Sequence, residues 1–429
     1  MSHRSLETIS HSSLPGPDNI LRRQLNNGIT ILARENFNSP VVVLNGYLAA
    51  GSLFEPDARL GLSTFTSLAL MRGAARHTFQ QIYDLLETAG ASLSISGGTH
   101  MTSFRAKALV EDFSLLLELL DETLRSPVFP GDQVERLRSQ ILTGLAIKAQ
   151  DTAEMASQAF DQVLYAGHPY SRTDDGTPET ISNIQVEELT SFHHKHYGPQ
   201  GMVITIVGAI NAERAVSEVT ETFSNWENPE QPSPTDLPSP PILSRRERRQ
   251  VTIPGKSQAD LLIGACGPVR RSPDFLAAAL GNSVLGQFGL YGRIGESVRE
   301  NSGLAYYALS SLSGGIGPGP WYASAGVDPD NIEQAIRLIL EEFDRFTREP
   351  VTQEELDDSR ANFIGRLPIS METNSGVAGA ILNLELYQLG LDYYLLLPGL
   401  LQELTPEILL ETARRYLNTE TMPIAVAGP

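Results

Sequence analysis

The residues of this chain best suited to chemistry stand seven positions apart, at Arg299 and Tyr306 in the stretch IGESVRENSGLAYYALS. The pattern predicts a short helix that stops at Gly303, followed at once by a strand beginning at Leu304, with Arg299 in the last helical turn and Tyr306 near the strand's start. A helix-to-strand turn can present a guanidinium and a phenol to the same groove. There they offer a planar fork of donors and a single O–H, the equipment for holding a peptide carbonyl or a developing oxyanion. The local pattern equally fits an arginine that ends a helix and a half-buried strand aromatic, so the rest of the chain must decide.

Other polar clusters point less clearly to chemistry. His193, His194 and His196 lie in SFHHKHY, where His193 and His196 share a helix face, but a catalytic zinc site needs a third ligand and a base. Solvated helix histidines are the simpler expectation, and His168 in GHPY is expected to anchor a turn. The single cysteine, Cys266, sits in an apolar run and reads as a buried, inert thiol. SGGIGPGP, 313–320, lies between two strand patterns and reads as a hairpin loop rather than a phosphate loop.

The elements that must position these residues follow from composition and periodicity. At 429 residues the chain exceeds one hydrophobic core and suggests two or more domains. With 32 Lys and Arg against 51 Asp and Glu, the net charge of −19 disfavours nucleic acid and anionic lipid as partners. No segment approaches the roughly 20 apolar residues of a membrane span, and the N-terminus lacks a signal-peptide pattern, so a cytoplasmic protein is expected.

Residues 1–19 are polar and predict a flexible arm. Asn26-Asn27-Gly28 signals a hairpin. Strand patterns at 29–33 and 41–48 lead to helices near 62–71 and 79–89, then to strands at 92–96 and 102–109. Helices follow at 111–124, 132–148, 154–165 and 186–196, then a strand at 202–207 and a helix at 212–223. Six prolines between Pro229 and Pro241 mark an extended connector within 227–249. The basic run from Arg245 to Arg249 reads as a solvated approach to the next strand.

Beyond the connector the design repeats. LLLELLDETLRSPVFPGDQVERLRSQILTGL around Pro127 matches RLILEEFDRFTREPVTQEELDDSRANFIGRL around Pro350, and Tyr197 with MVITIVG matches Tyr416 with MPIAVAG. Two α+β domains are therefore expected, at 20–226 and 250–429, each a mainly antiparallel sheet covered by helices on one side.

These features together resemble the M16 family of zinc peptidases, the pitrilysin or insulinase group, and in length its short bacterial subfamily related to mitochondrial processing peptidase. The resemblance runs from about Leu21 to Gly428. It rests on AAGSLFEP at 49–56, GLSTFTSLALMRGA at 61–74, GHPY at 167–170, VGAI at 207–210 and VRENSGLAYY at 298–307. It implies two similar domains facing each other across a chamber.

It also implies a zinc site, H-x-x-E-H, on the helix after the AAGS strand. In this chain Thr64 and Leu68 stand at the two histidine positions, Ser67 at the general-base glutamate, and Gly144 at or next to the third ligand. None can serve, so no metal is expected in this chain. Arg299 and Tyr306 match the family's substrate-binding and intermediate-stabilising pair. Gly286, Gly289 and Gly292 fall in the loop that is glycine-rich in relatives and thought to contact substrate. In some short members the tasks are divided between two chains. The resemblance thus implies a non-zinc subunit that is inactive alone and acts on peptides with a zinc-bearing M16 partner. A structural assembly subunit and a non-catalytic peptide-binding module remain the alternatives.

Overall fold

The computed structural model describes residues 14–233, 236–287 and 292–429. Most of the expected arm, and with it Pro234 and Gly289, lies outside the described residues. The described part of the arm, 14–19, is fastened down. Leu14 is buried, and Asn19 donates from Nδ2 to the Leu14 carbonyl at 2.9 Å.

Eleven strands form two sheets among the described residues: β1 (Leu21–Gln24), β2 (Thr30–Glu35), β3 (Val41–Leu48), β4 (Ser92–Gly97), β5 (Thr102–Leu109), β6 (Val203–Gly208), β7 (Arg248–Thr252), β8 (Ala259–Cys266), β9 (Ala305–Gly314), β10 (Pro318–Val327) and β11 (Ile424–Gly428). The first sheet has the order β1-β2-β6-β3-β5-β4 and the second β7-β11-β8-β10-β9. The pairing senses agree strand for strand. β2–β6 and β7–β11 are parallel, and every other pair in both sheets is antiparallel. β1 is the one strand without a counterpart, and it closes the hairpin signalled by Asn27-Gly28. The fold is thus α+β, with two like-built sheets, as the repeat predicts.

The compact units do not follow chain order. One unit comprises 1–145, 173–236 and 368–395, and the other 146–172, 237–367 and 396–429. A division at 20–226 and 250–429 therefore assigns two helices to the wrong sheet. Helix Thr152–Leu164, from the first half of the chain, packs on β8 and β11 with Ala156, Ala159 and Phe160 against Leu262, Ala425 and Ala427. Helix Asn374–Leu386, from the second half, packs on β6 and β3.

The exchange also corrects the expectation of helices on one side. All six residues of β6 and all five of β11 are buried, the signature of strands covered on both faces. Ile204 and Ile206 join the main core of the first unit, built with helices such as Phe113–Arg125 and Ala212–Phe223. Val203 and Val207 point to the opposite face. An amphipathic pattern declares that a helix has an apolar face, but not which sheet that face will cover.

Between Phe223 and Arg248 no described residue lies in a helix or strand, consistent with the proline-rich composition. The loop at 315–317 joins β9 to β10 as a hairpin. No described helix is long and apolar enough to cross a membrane.

Candidate functional site

In the first unit, the motif AAGSLFEP–GLS is chiefly a device for starting a helix. The buried carboxylate of Glu55 accepts from the Gly61 N–H at 3.0 Å and the Ser63 N–H at 2.9 Å. It thus satisfies two donors left open at the start of helix Leu62–Ala69 and favours the positive end of its dipole. Gly61 has φ +88°, and a side chain there would also collide with Asp175 and Gly176.

The helix so formed carries three of the four positions at which the resemblance expects zinc-site residues. Thr64 and Leu68 are one turn apart, with Ser67 between them on the same helix. The Ser67 hydroxyl donates to the Thr64 carbonyl at 2.8 Å, and Thr64 Oγ1 is buried without a partner. Gly97, at the end of β4, lies against Thr64 and Ser67 so closely that a Cβ on it would come within 2.9 Å of both. Gly144 sits in helix Gly131–Lys148 with open space where a side chain would be. Two neutral hydroxyls, an isobutyl group and a glycine do not fit zinc, which needs imidazole, thiolate or carboxylate donors. Among the described residues there is no group of three or more His, Cys, Asp and Glu arranged to hold a metal.

Two of the three histidines of SFHHKHY have structural roles, which corrects the expectation that they are solvated; His194 is exposed, as expected. His193 is half-buried and its Nε2 lies 2.8 Å from the Leu124 carbonyl, to which it donates. His196 is buried against Phe54 and Phe192. Burial pushes both imidazoles down to about 4. His168 does anchor a turn: its Nδ1 accepts from the Tyr170 N–H at 3.1 Å, and its Nε2 donates to the Pro238 carbonyl at 3.0 Å.

In the second unit, Arg299 lies not on a regular helical turn but on a π-helical one, Glu296–Glu300, which continues the short α-helix Gly292–Gly295. π turns cost hydrogen-bond quality and recur at functional sites. Gly303, at φ +64°, reverses the chain, with its N–H donating to the Arg299 carbonyl at 2.9 Å and that of Leu304 to the Val298 carbonyl at 3.1 Å. The strand then begins at Ala305, one residue after the expected start. Arg299 and Tyr306 therefore occupy the two arms of one glycine turn. Arg299 is about one-third exposed, with Nε 3.7 Å from Glu300, and Tyr306 is 68% exposed on the edge strand β9.

That strand is held firmly. Tyr307, on the face opposite Tyr306, donates to the buried Asp260 at 2.5 Å, and Thr152 and Gln258 donate to the same carboxylate. Burial and this hydrogen bond push the Tyr307 phenol up. Further along β9, Ser310 donates to Asn282 Oδ1 at 2.7 Å, which also accepts from the Trp321 indole at 3.0 Å. Two of the loop glycines serve the same packing. A Cβ on Gly286 would lie 2.1 Å from the Ser310 nitrogen, and one on Gly292, whose φ is +64°, would lie 2.7 Å from the Gly286 nitrogen. Neither Asp260 nor Asn282 stands out in the sequence. Each is a lone polar residue in an apolar run, and only its partners reveal its role.

The sequence profile described as "Insulinase (Peptidase family M16)" matches residues 30–173, and that described as "Peptidase M16 inactive domain" matches 183–363. The fold is that of a solved "peptidase M16 inactive domain" from Pseudomonas fluorescens, with a TM-score of 0.88 and 27% identity over 96% of this chain and 98% of that one. It also matches a protease from Helicobacter pylori, with a TM-score of 0.89 and 19% identity over 97% of this chain and 100% of that one.

The chain belongs to peptidase family M16, as one of its short members. Among characterised and named relatives, it is 24% identical to the beta subunit of the mitochondrial-processing peptidase of Saccharomyces cerevisiae, over 88% of this chain and 83% of that protein. It is 23% identical to an uncharacterized zinc protease of Streptomyces coelicolor, over 88% of this chain and 83% of that protein.

Proposed function

We propose that this chain is the non-zinc subunit of a heteromeric M16 peptidase, lending Arg299 and Tyr306 to a partner chain that bears the zinc site. The observation that carries this reading is the asymmetry between the units. Donors are missing at Thr64, Ser67, Leu68 and Gly144, while the arginine, about one-third exposed, and the exposed tyrosine persist on a braced glycine turn.

In this scheme the zinc and the water-activating base belong to the partner, and this chain binds and polarises the peptide. The Arg299 guanidinium, a planar fork, holds a peptide carbonyl beside the scissile bond. The Tyr306 O–H donates to the carbonyl oxygen as negative charge builds on it. Gly286 and Gly292 shape the base of the turn, and a direct grip on substrate would add to that packing role. The negative net charge favours peptides over nucleic acid as the ligand.

The test is reconstitution. The purified chain is expected to cleave no peptide, and mixing with an M16 chain carrying intact H-x-x-E-H is expected to give a one-to-one complex with peptidase activity. Cleavage by this chain alone overturns the proposal. A complex whose activity is no greater than that of the zinc-bearing chain assigns this protein to assembly or passive peptide binding instead.

A further inference from the structure

Behind the π turn, within the second unit, lies a pocket of about 300 Å³ lined by Val284, Gly292, Arg293, Glu296, Glu300, Glu355 and Ser359. Its wall is already neutral. Arg293, 9% exposed, donates through Nε and Nη2 to the two oxygens of Glu355, both at 2.6 Å. Burial opposes ionisation of Glu355, but hydrogen bonds from Arg293 and Thr352 outweigh it and hold the carboxyl at about 2. The wall is therefore a closed ion pair with little capacity for a guest.

The mouth and the floor differ from the wall. Glu296 and Glu300 are both exposed, and Glu296 has no cation partner among the described residues. Nearby, Glu342 is raised chiefly by burial, with Arg345, 3.3 Å away, and Arg293 opposing and Glu296 adding to the rise. At the floor, Ser359 is completely buried and its hydroxyl has no hydrogen-bond partner. A buried hydroxyl without a partner is costly to keep, so a position retaining one invites a ligand atom.

We propose that this pocket binds an alkylammonium or alkylguanidinium cation, with the charge paired by Glu296 and Glu300 and a hydrogen bond made to Ser359. At the mouth Glu296 has no cation partner among the described residues and Glu300 is only loosely paired, with Arg299 Nε at 3.7 Å, so the mouth attracts a cation and repels an anion. A neutral guest would pair with Ser359 but leave the mouth's charge unanswered. The cation belongs either to a basic side chain of a bound peptide or to a free small amine. Because Glu296 and Glu300 are on the same π turn as Arg299, occupancy also bears on the segment that presents the arginine.

The experiment is titration calorimetry on the full chain alone, which keeps it independent of any peptidase partner. The probes are Nα-acetyl-arginine amide, agmatine, and Nα-acetyl-citrulline amide, which keeps the arginine shape without the charge. One cation is expected per chain, with the citrulline compound at least about tenfold weaker. Binding of the arginine amide but not agmatine assigns the site to a peptide side chain, and the reverse assigns it to a free amine.

Glu296→Gln, at an exposed position, is expected to weaken binding about tenfold without altering the fold. Ser359→Ala is expected to weaken binding by a similar factor while melting no lower than wild type, since its hydroxyl has no partner to lose. The proposal is overturned by equal binding of the arginine and citrulline compounds, by affinities unchanged in both variants, or by the absence of saturable binding.

Discussion

The two units use the same strand order for different ends, and the second covering helix of each shows how. In the first unit, between the donor-poor helix and β4, runs Phe79–Thr88, a regular ten-residue α-helix opened by a reciprocal capping box between Thr78 and Gln81. In the second unit, between helix Phe275–Gly286 and β9, the corresponding element is one α turn running into a π turn that carries Arg299. Both end at a glycine in the left-handed region, Gly90 at φ +59° and Gly303 at φ +64°. The regular copy adjoins the helix that carries Thr64, Ser67 and Leu68, and the irregular copy carries the arginine. Of these two corresponding elements, the irregular one is thus the one for which chemistry is proposed.

If the second unit is the one built to tolerances, it should resist change at its turn. Gly286→Ala pushes a Cβ to within 2.1 Å of the Ser310 backbone and should cost about 3 kcal/mol or more in urea unfolding. Tolerance of this change would mean that β9 is not held as tightly as its contacts imply. Asn282→Ala strands the Trp321 indole in the core and leaves the Ser310 hydroxyl only the residue-282 carbonyl at 3.2 Å, and should cost about 1–3 kcal/mol by the same measurement.

Acid should separate the units. His193 and His196 in the first have folded values near 4, below the ordinary 6.5. Their contribution is present above 6.5 and is lost as pH falls toward 4, outweighing Asp121, whose carboxyl burial pushes up. In the second unit, burial raises Asp161 to about 7. Its contribution is complete below 3.8 and is lost as pH rises through 7, outweighing His168 in the same unit, whose imidazole burial pushes down. Going from pH 7 to 5 should therefore weaken protection of the first unit's amides and strengthen that of the second, read by hydrogen exchange corrected for intrinsic rates. Parallel changes in both units would break the contrast.

The smallest effect is expected at Gly144. Gly144→Ala meets open space inside a helix and should stabilise the chain by roughly 0.5–1 kcal/mol. Destabilisation there would reveal a constraint on this position that its open surroundings do not show.

Much of this was legible in the sequence. The strand and helix patterns of the first half, the glycine turn at Gly303 and the repeat around Pro127 and Pro350 are local signals, and periodicity and residue type read them directly. The exchange of helices Thr152–Leu164 and Asn374–Leu386 was not, because an apolar stripe does not name its partner sheet. Nor was the π turn, whose residues, ESVRE, are ordinary helix formers. The pocket joins Arg293 to Glu355 across 62 positions of chain, a pairing that only folding creates. His193 and His196 were misjudged for a related reason: a polar residue on a helix looks solvated until a neighbouring element covers it.

The measurement that bears most directly on the central claim is turnover by a reconstituted complex in which Tyr306 is replaced by Phe. The substitution keeps the ring and removes one hydrogen-bond donor, and because the side chain is 68% exposed the fold should not notice. If Tyr306 stabilises the tetrahedral intermediate, kcat should fall by about 10²–10³, roughly 3–4 kcal/mol of barrier, while complex formation and peptide affinity stay nearly unchanged. Cleavage at the wild-type rate by an intact Tyr306→Phe complex would contradict the account and leave the tyrosine as a remnant of an ancestral site.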